Sequence, residues 1–499
     1  MAVNEEAAPV NAKPAKRFFV EMLTRDIELK DAVLDMLDNC LDGALRKNNN
    51  NPVNTSMPYE GYYAKISFNK DRFSIIDNCG GIDEDLAKNY AFRLGRPDTD
   101  RDKDLATVGV YGIGMKRAIF KIGQDAKVTS IHPRSSFEIA ISPEWLKDDD
   151  NWNLPFENIE KPDTEYGTHI EIAELYSAIS KTFEDDFYDD FCATIKEQYS
   201  YIIQKGFKVY VNETLVEAKR LGLLVDEEAL RNSKAGITPY IYEVSNNGLN
   251  IFLSVGFYRP LPSDEEQIDE IEGRHSKDDA GWTIICNDRV IIANDKSSLT
   301  GWGSSGAPAY HSQFVAISGV VIIRSKDASL LPVTTTKRGI DVNSDIYWAL
   351  RDKMVEGLKM FTNHTNKWKT PSEERETIQK STTPVAPQNV ASSVPSDKWR
   401  VVRTGLGGKQ YIPELPVPRT TNPNKQIKFS RPADEIKTVA IYLFEDEEAK
   451  PTDVGEQCFV EILKKAKKHD CREHPIPFAP KQSSREKSIC GFTLKSQPF

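Results

Sequence analysis

Four short motifs rich in Asp, Asn and Gly follow one another between residues 35 and 168 of this 499-residue chain. The first lies within a predicted helix, the second follows a predicted strand, the third opens a helix and the fourth enters a strand. Each motif alone has an ordinary structural explanation. Their order, with these elements between them, is specific, and it limits the fold more than any feature of the composition does.

The first two motifs carry acidic and amide side chains. Asp35 and Asn39 lie in a helix predicted from residue 17 to about residue 48, and their spacing places both on one face. An amide oxygen suits Mg²⁺ and a carboxylate takes a proton from water, but a solvated helix face is the alternative. Asp77 ends an apolar strand and is followed by glycines, among them Gly81. This pattern suits an amine hydrogen bond beside a flat base or, alternatively, a simple turn.

The other two motifs are defined by glycine. Gly109, Gly112 and Gly114 open an apolar helix, where backbone N–H groups can approach phosphate oxygens. Their spacing is neither that of a Walker P-loop nor that of a dinucleotide fingerprint. Gly167 and Thr168 enter a strand and carry little information alone.

Together the four motifs resemble the N box and the three G boxes of the GHKL ATPase superfamily. Its members include gyrase-type topoisomerases, the ninety-kilodalton heat-shock chaperones, histidine kinases, MutL and MORC. The resemblance covers about residues 17–215 and implies an α+β protein with a two-layer α/β sandwich, the Bergerat fold. That fold binds ATP between its helices and a mixed, largely antiparallel sheet, with residues 96–108 as the expected ATP lid.

By position, the resemblance assigns roles to individual residues. Asn39 looks like the Mg²⁺ ligand, and Asp35 occupies the place of the general base. Asp77 looks like the acceptor of the adenine amine, with Thr168 supporting it through a water. Further nucleotide contacts are implied for Gly81, Gly109, Gly112, Gly114, Met115 and the positively charged Lys116.

Two positions depart from the family pattern. The general base is usually Glu in the members that hydrolyse ATP, and Asp35 is one methylene shorter. Hydrolysis is therefore expected to be slow, because the carboxylate sits further from the attacking water. Cys79 stands where the family often has Gly, so a contact with the base at that position stays open.

A second α/β unit is predicted at residues 246–368, after an ATPase domain and connecting helix at 17–245. A long helix is predicted within that first domain at residues 177–204. The second unit is similar in size and pattern to the ribosomal-S5-like transducer domain of chaperones, topoisomerases and MutL, and it looks most like the MORC-type arrangement. The loop at 330–339 resembles the transducer loop whose lysine reaches the γ-phosphate, and Lys337 is the expected lysine. An exposed basic loop is the alternative.

The remaining segments are predicted from composition and pattern. Residues 1–16 are expected to be a disordered arm, and residues 369–430 a linker rich in Pro, Ser and Thr. Residues 431–499 are expected to form a small C-terminal α/β interaction domain, with a strand at 438–444 and an amphipathic helix at 454–467.

The charge is unevenly distributed. The net charge is -10, which disfavours a general nucleic-acid coat. From Pro371 onward there are 21 basic and 17 acidic residues. This tail is therefore the part of the chain whose net charge is compatible with binding a polyanion. Its lysine-rich stretch at 464–468 is more often a solvated helix face.

The resemblance implies an ATP-binding, slowly hydrolysing homodimer that operates a clamp or switch, with DNA as its target in genome or antiviral defence. The alternatives are a chaperone-like ATPase acting on a partner protein and a non-hydrolysing ATP-dependent scaffold. No apolar run approaches the roughly 18 residues that span a bilayer, and no signal-peptide core occurs near the start. Seven cysteines without a C-x-x-C pair favour reduced thiols. A cytoplasmic protein without a membrane span is therefore expected.

Overall fold

The computed structural model describes residues 15–48, 56–93, 112–161, 165–218, 222–232, 234–263, 266, 279–334, 339–369, 372–418, 427 and 429–469. These residues divide into two compact units, one within residues 1–418 and one within 419–499. The predicted α+β class is confirmed, since large sheets and helices alternate irregularly along the chain.

Helices cover much of the described chain, and none of them is long and apolar enough to cross a membrane. A short π-helical turn, Ala87–Ala91, follows the third helix. The α-helices are α1 Lys16–Arg25, α2 Leu29–Lys47, α3 Glu84–Leu86, α4 Gly114–Ile122, α5 Pro143–Lys147, α6 Ser177–Glu184, α7 Phe187–Gln198, α8 Ser200–Gln204, α9 Glu227–Asn232, α10 Asp345–Lys367, α11 Glu373–Lys380, α12 Pro387–Ser393, α13 Ala433–Phe444 and α14 Pro451–His469.

The strands in the described part of the chain form two large sheets and one small one. They are β1 Tyr63–Phe68, β2 Phe73–Asp77, β3 Gly123–Ile131, β4 Ser136–Ile141, β5 Phe156–Asn158, β6 Gly167–Leu175, β7 Lys208–Val211, β8 Thr214–Leu215, β9 Leu223–Val225, β10 Tyr240–Asn246, β11 Leu249–Phe257, β12 Gly281–Cys286, β13 Arg289–Asp295, β14 Ile317–Ser325, β15 Thr383–Val385, β16 Arg400–Val401 and β17 Lys409–Tyr411.

The first sheet has eight strands in the order β5-β4-β3-β6-β2-β1-β7-β8. Its described pairs are antiparallel except for β1 and β7, which run parallel. Burial alternates along its strands: in β1, for example, Ala64 and Ile66 are buried and Lys65 is exposed. One face therefore packs against helices, mainly α2, α4 and α6–α8, in one apolar core. This is the two-layer arrangement that the motifs predicted.

Two predicted helices are interrupted in the structure. The helix expected over residues 17–48 divides into α1 and α2 because the chain is extended at Glu28 and the side chain of Ile27 turns into the core. The helix expected over 177–204 divides into α6, α7 and α8. The helix expected from Gly109 begins at Gly114, and Gly109 itself lies outside the described residues.

The second sheet has seven strands in the order β13-β12-β14-β11-β10-β17-β16, with β12 and β14 parallel. The long helix α10 covers one face through Leu350, Met354 and Leu358. A second apolar cluster on this sheet includes Tyr201 from α8 of the first core. Strand β10 pairs with β11, so the boundary predicted at residue 245 falls inside a hairpin of the second sheet.

Much of the predicted linker at 369–430 folds onto the second sheet instead. Strand β17 pairs with β10 and β15 pairs with β9, while Val390 and Val394 are buried in an apolar cluster with Ile241. The apolar residues of this segment are widely spaced among Pro, Ser and Thr, so the sequence pattern does not predict this packing. Residues up to 418 belong to the first compact unit.

The second unit contains the helices α13 and α14, which contact each other. The strand predicted at 438–444 is wrong, because this apolar run lies in α13, where Asp434 and Glu435 occupy the first turn. A short apolar run does not distinguish a strand from a helix. Ala440 and Val454 are buried in this unit, whereas Tyr442 and Phe459 are exposed.

Candidate functional site

The helix α2 lies at the centre of the candidate site and contacts two of the other motifs. One turn of α2 lies against the first residue of α4, since a Cβ built on Gly114 would be 3.2 Å from the Cβ of Asp35. Further along α2, a Cβ built on Gly43 would be 3.2 Å from the Cβ of Cys79. The helix therefore connects the glycine-rich turn with the loop that follows Asp77.

Asp35 forms an ion pair with Arg117, the fourth residue of α4, at 2.5 Å between Oδ2 and the guanidinium. The side chains of both residues are largely buried. Within the described residues, Oδ1 of Asp35 accepts no hydrogen bond. One carboxylate oxygen is thus bound to a cation and the other is left for a further donor at the start of α4.

The start of α4 has the features of an anion-binding helix terminus. Gly112 has φ +66°, a left-handed conformation that favours glycine. No side chain caps the helix at Ile113 within the described residues, so the first N–H groups of α4 remain available for an anion. Met115, the second residue of the helix, is buried in the core and anchors this end.

The ammonium group of Lys116 is already engaged by the backbone. Its Nζ donates to the carbonyl of Ala91 at 2.8 Å and to the carbonyl of Gly112. The side chain is buried. Lys116 therefore joins the π-helical turn to the glycine-rich turn, and its predicted charge contact with phosphate stays a prediction.

Asp77 lies at the end of β2 and is half-buried. Oδ1 accepts hydrogen bonds from the backbone N–H of Cys79 at 2.7 Å and of Thr168 at 3.3 Å. The thiols of Cys40 and Cys79 lie beside the carboxylate. Burial raises the pKa of Asp77 to about 6, although these hydrogen bonds oppose the shift.

Two glycines allow close backbone approaches in the turn after Asp77 and at the start of β6. A Cβ on Gly167 would lie 1.8 Å from the carbonyl oxygen of Asp77, and a Cβ on Gly81 would lie 2.4 Å from that of Ile131. Gly81 also has φ +70°. Larger residues are therefore excluded from both positions, and the second and fourth motifs meet directly across the β2–β6 pair.

Asn39 is exposed on α2, one turn after Asp35. Its amide makes no hydrogen bond to any residue that the structure describes. A carboxamide oxygen is a suitable ligand for a hard cation that keeps its remaining positions for phosphate and water. The residue thus fits the role of a single protein ligand to Mg²⁺.

Three predicted parts of the site lie outside the described residues: Gly109, Lys337 and the lid at 96–108. The base of the loop that carries Lys337 is described. Thr334 N–H donates to the carbonyl of Gly339 at 2.9 Å, and Val333 pairs with Ile340. The two ends of this loop therefore meet immediately before α10.

Sequence reasoning missed several residues that hold the site. Arg117 is one residue beyond the predicted Lys116, and its three-residue spacing from Gly114 was the signal that it shares that helix face. Cys40 follows Asn39 directly, and no sequence signal connects it with Asp77. Asp38 lies inside the first motif but was given no role, and it is buried.

Comparison with known families agrees with this geometry. Residues 27–171 match the family described as histidine kinase-, DNA gyrase B-, and HSP90-like ATPase. This segment is similar to GHKL-type ATPase domains. The match supports ATP binding and, for the ATPase domain as a class, ATP hydrolysis with Mg²⁺. The search of curated proteins finds no match to the chain.

The raised pKa of Asp77 predicts a pH dependence of ligand binding. A charged carboxylate at Asp77 would accept a hydrogen bond from the adenine amine that the sequence predicts there, and a protonated carboxyl would lose that capacity on one oxygen. Because the pKa is about 6, adenosine affinity should fall as the pH decreases from 7 to 5, by up to about tenfold per pH unit below 6. Calorimetric titration with adenosine measures this without the titration of phosphate groups.

The effect of pH on the stability of the fold has the opposite sign, because acidification relieves an unfavourable charge at Asp77. The pKa of Asp77 is higher in the folded protein than its ordinary value of 3.8, so its charge destabilises the fold above pH 6. That penalty decreases as the pH falls through 6 towards 4. Weaker adenosine binding at pH 5 therefore does not come from unfolding at this residue, and a pH-independent affinity would contradict the assignment of Asp77.

Proposed function

We propose that this protein is an ATP-binding and slowly ATP-hydrolysing switch whose nucleotide site is built around α2. The observation that carries the proposal is the convergence of Asp77 with Thr168 on one side and of Asp35 with the start of α4 on the other. Both lie within the segment that matches the ATPase family. In this proposal the adenine amine donates to Asp77, and the phosphates approach Gly112, Gly114 and the N–H groups that follow.

Asn39 is the proposed Mg²⁺ ligand, because its amide is exposed on the same helix as Asp35 and beside the phosphate end of the site. When bound, Mg²⁺ neutralises charge on the phosphate oxygens. The chain's own contribution is to hold the amide oxygen in place and to leave the remaining coordination positions open.

Asp35 is the proposed general base, and its ion pair with Arg117 supports slow turnover. The guanidinium occupies one carboxylate oxygen, which leaves only the other oxygen to accept a proton from water. The same observation favours the second candidate function, a non-hydrolysing ATP-dependent scaffold. The two candidates differ in whether the wild-type protein releases phosphate.

Phosphate release by wild-type and Asp35 variants tests the proposed chemistry. Asp35→Asn should reduce the turnover number by about 100-fold, because a positioned base is lost, and change the ATP dissociation constant by less than about threefold. Asp35→Glu restores the longer side chain that hydrolysing members usually carry, and it should match or exceed the wild-type rate. Phosphate release is measured under single-turnover conditions with the full chain.

Two outcomes would count against this assignment in different ways. Equal phosphate release by the wild-type protein and Asp35→Asn would remove Asp35 from the base role. ATP binding without any phosphate release above background in either protein would favour the scaffold.

The second sheet and α10 are proposed to act as the transducer, with Lys337 reaching the γ-phosphate. ATP would then order the lid and Lys337 and bring two copies of the chain together. The proposal rests on the resemblance of residues 246–368 to a MORC-type transducer, on the position of the 334–339 loop before α10, and on the family match to the first domain.

DNA is the proposed target of the resulting clamp, in genome or antiviral defence. The support is the basic balance of the tail, where Lys464, Lys465 and Lys467 are exposed on α14. DNA binding that persists at physiological salt in the presence of ATP would support the clamp. Absence of such binding with and without ATP, together with an ATP-dependent affinity for an unfolded protein, would instead favour the chaperone-like alternative.

A further inference from the structure

A buried charged cluster connects the ATPase domain to the second sheet at the turn between β12 and β13. The cluster contains Asp38 of α2, Tyr199 directly after α7, and Arg289, the first residue of β13. Oδ1 of Asp38 accepts hydrogen bonds from the Tyr199 hydroxyl and from the Arg289 guanidinium. The exposed fractions of the two ionic side chains are 1% for Asp38 and 5% for Arg289.

Each member of this cluster has further partners that fix its position. Arg289 also donates to the Gln198 side chain at 3.1 Å, and its guanidinium lies 4.3 Å from the centre of the Tyr199 ring. The Tyr199 hydroxyl lies 3.0 Å from the carbonyl oxygen of Leu34. The cluster therefore contacts both the backbone of α2 at residue 34 and its side chain at residue 38.

The turn that presents Arg289 is itself held rigidly. Asn287 and Asp288 both have positive φ, as a two-residue hairpin turn requires. The Asn287 amide exchanges two hydrogen bonds of 3.0 Å with the backbone of Ser325 on β14. The direction of Arg289 is thus determined by the second sheet and not by a flexible loop.

Asp288, the residue before Arg289 in the turn, forms a second ionic link to the ATPase domain, and here the turn supplies the negative charge. Asp288 pairs with Lys205 of the ATPase domain at 3.0 Å and with Arg324 of β14 at 2.7 Å, and it accepts a hydrogen bond from Tyr59. Burial alone would raise the pKa of Asp288, but the two cations outweigh it and hold the pKa below its ordinary value. The turn therefore cannot slide along the ATPase domain without separating two buried ion pairs.

Asp38 is the point at which this link meets the nucleotide site. It precedes Asn39 directly and lies three residues after Asp35, so all three share adjacent positions on two turns of α2. We propose that Arg289 is a positioning residue that holds this part of α2 through Asp38 and makes Mg²⁺-dependent nucleotide binding sensitive to the second sheet. The inference rests on the proposed function, in which Asn39 binds Mg²⁺ and Asp35 acts on water.

A buried ion pair is a poor source of net stability, because desolvation of both charges opposes their attraction. A well-packed apolar pair would stabilise this interface as well. The charged pair adds a fixed geometry, because the hydrogen bonds between the guanidinium and the carboxylate determine how the two side chains are oriented. The position of Asn39 and Asp35 relative to the start of α4 is the geometry that depends on it.

The test compares ATP affinity in Mg²⁺ and in EDTA, using the full chain. Removing one partner would leave the other charge buried, so the informative variant is the double variant Asp38→Asn with Arg289→Met, which leaves no unpaired charge. The amide oxygen introduced by Asp38→Asn can still accept from Tyr199. We expect Mg²⁺ to tighten ATP binding at least about tenfold in the wild-type protein and less than about twofold in the double variant.

The remaining readouts separate positioning from folding. ATP affinity in EDTA, which depends on Asp77, should stay within about twofold of the wild type in the double variant, while turnover falls at least about tenfold. Arg289→Lys keeps the charge opposite Asp38 and should recover most of the Mg²⁺ effect. The matched control is Arg351→Met, which removes a buried arginine of α10 that donates to the carbonyl of Ser298 and to the hydroxyl of Ser304. This control should retain the Mg²⁺ effect.

The outcomes distinguish the inference from the proposed function. A folded double variant with the wild-type Mg²⁺ effect and turnover would show that Arg289 has only a structural role. The same conclusion follows if Arg351→Met loses the Mg²⁺ effect equally. A wild-type protein that binds ATP without any effect of Mg²⁺ would also overturn the inference, whereas a wild-type protein that binds no ATP would overturn the proposed function itself.

Discussion

The Asp77→Asn protein should fold and lose adenine nucleotide binding, with at least about a 100-fold increase in the dissociation constant. The amide oxygen of Asn can still accept the backbone hydrogen bonds from Cys79 and Thr168. The amide nitrogen then takes the place of the second oxygen and presents donors to the adenine amine, which is itself a donor. The loss of the carboxylate oxygen as an acceptor and the repulsion between the two donor groups both weaken binding.

The stability of this variant should move in the other direction. Burial raises the pKa of Asp77 because the charged form is disfavoured there, and a neutral amide removes that penalty above pH 6. The free energy of unfolding should therefore be equal to or greater than that of the wild type at pH 7.5. Calorimetric ATP titration and urea denaturation of the same preparation measure both quantities.

Asp71→Asn is the matched control for Asp77→Asn. Asp71 is exposed in the turn before β2, so its loss should change neither ATP affinity nor stability. Undiminished ATP affinity of Asp77→Asn would remove Asp77 from the adenine site. Equal losses of affinity in both variants would indicate a general effect of charge.

Gly167→Ala should abolish nucleotide binding because the added methyl group displaces the backbone, although no side chain of the site is removed. The added methyl would lie 1.8 Å from the carbonyl oxygen of Asp77 and 3.0 Å from the Cα of Asn78. These are backbone atoms, so the overlap is relieved only if β6 moves away from β2, where Ile76 pairs with His169. We expect a loss of about 3 kcal/mol or more in the free energy of unfolding.

Urea denaturation followed by tryptophan fluorescence measures this loss, with ATP affinity determined below the transition. Gly455→Ala is the control, because a Cβ there meets nothing within 4 Å and Gly455 lies within α14. That substitution should leave ATP binding unchanged and hold or raise stability, since Ala favours the helix. A wild-type unfolding curve for Gly167→Ala would contradict the close approach of β2 and β6.

The elements of the first domain were largely predictable because their signals are local. The alternation along β1 and β2, and the apolar spacing of α2, each lie within a few residues of sequence. The four motifs could be placed on these elements for the same reason, since each is a short run within an element or at its end, while their nucleotide roles stay a prediction. The breaks at Glu28 and within 177–204 were missed because tertiary packing, not propensity, ends those helices.

The contacts that complete the site were not predictable because their partners are distant in sequence. Arg117 meets Asp35 across 82 positions and Arg289 meets Asp38 across 251. Charged residues that are isolated in the sequence usually belong to the surface, so nothing local marks Arg289 as buried. The strand β17 shows the same limit, because its three residues gain a sheet partner only after the chain has returned to β10.

The return of the chain to β10 determines where this protein can be shortened. Composition suggests that the second domain ends near Trp368, but the indole of Trp368 donates to the carbonyl of Pro416 at 3.1 Å. A chain ending at 368 would lose β17 and leave the hydrogen-bonding edge of β10 open to other strands, which favours aggregation. The second domain therefore ends after Pro418, and residues 372–418 belong in any fragment used to study nucleotide binding.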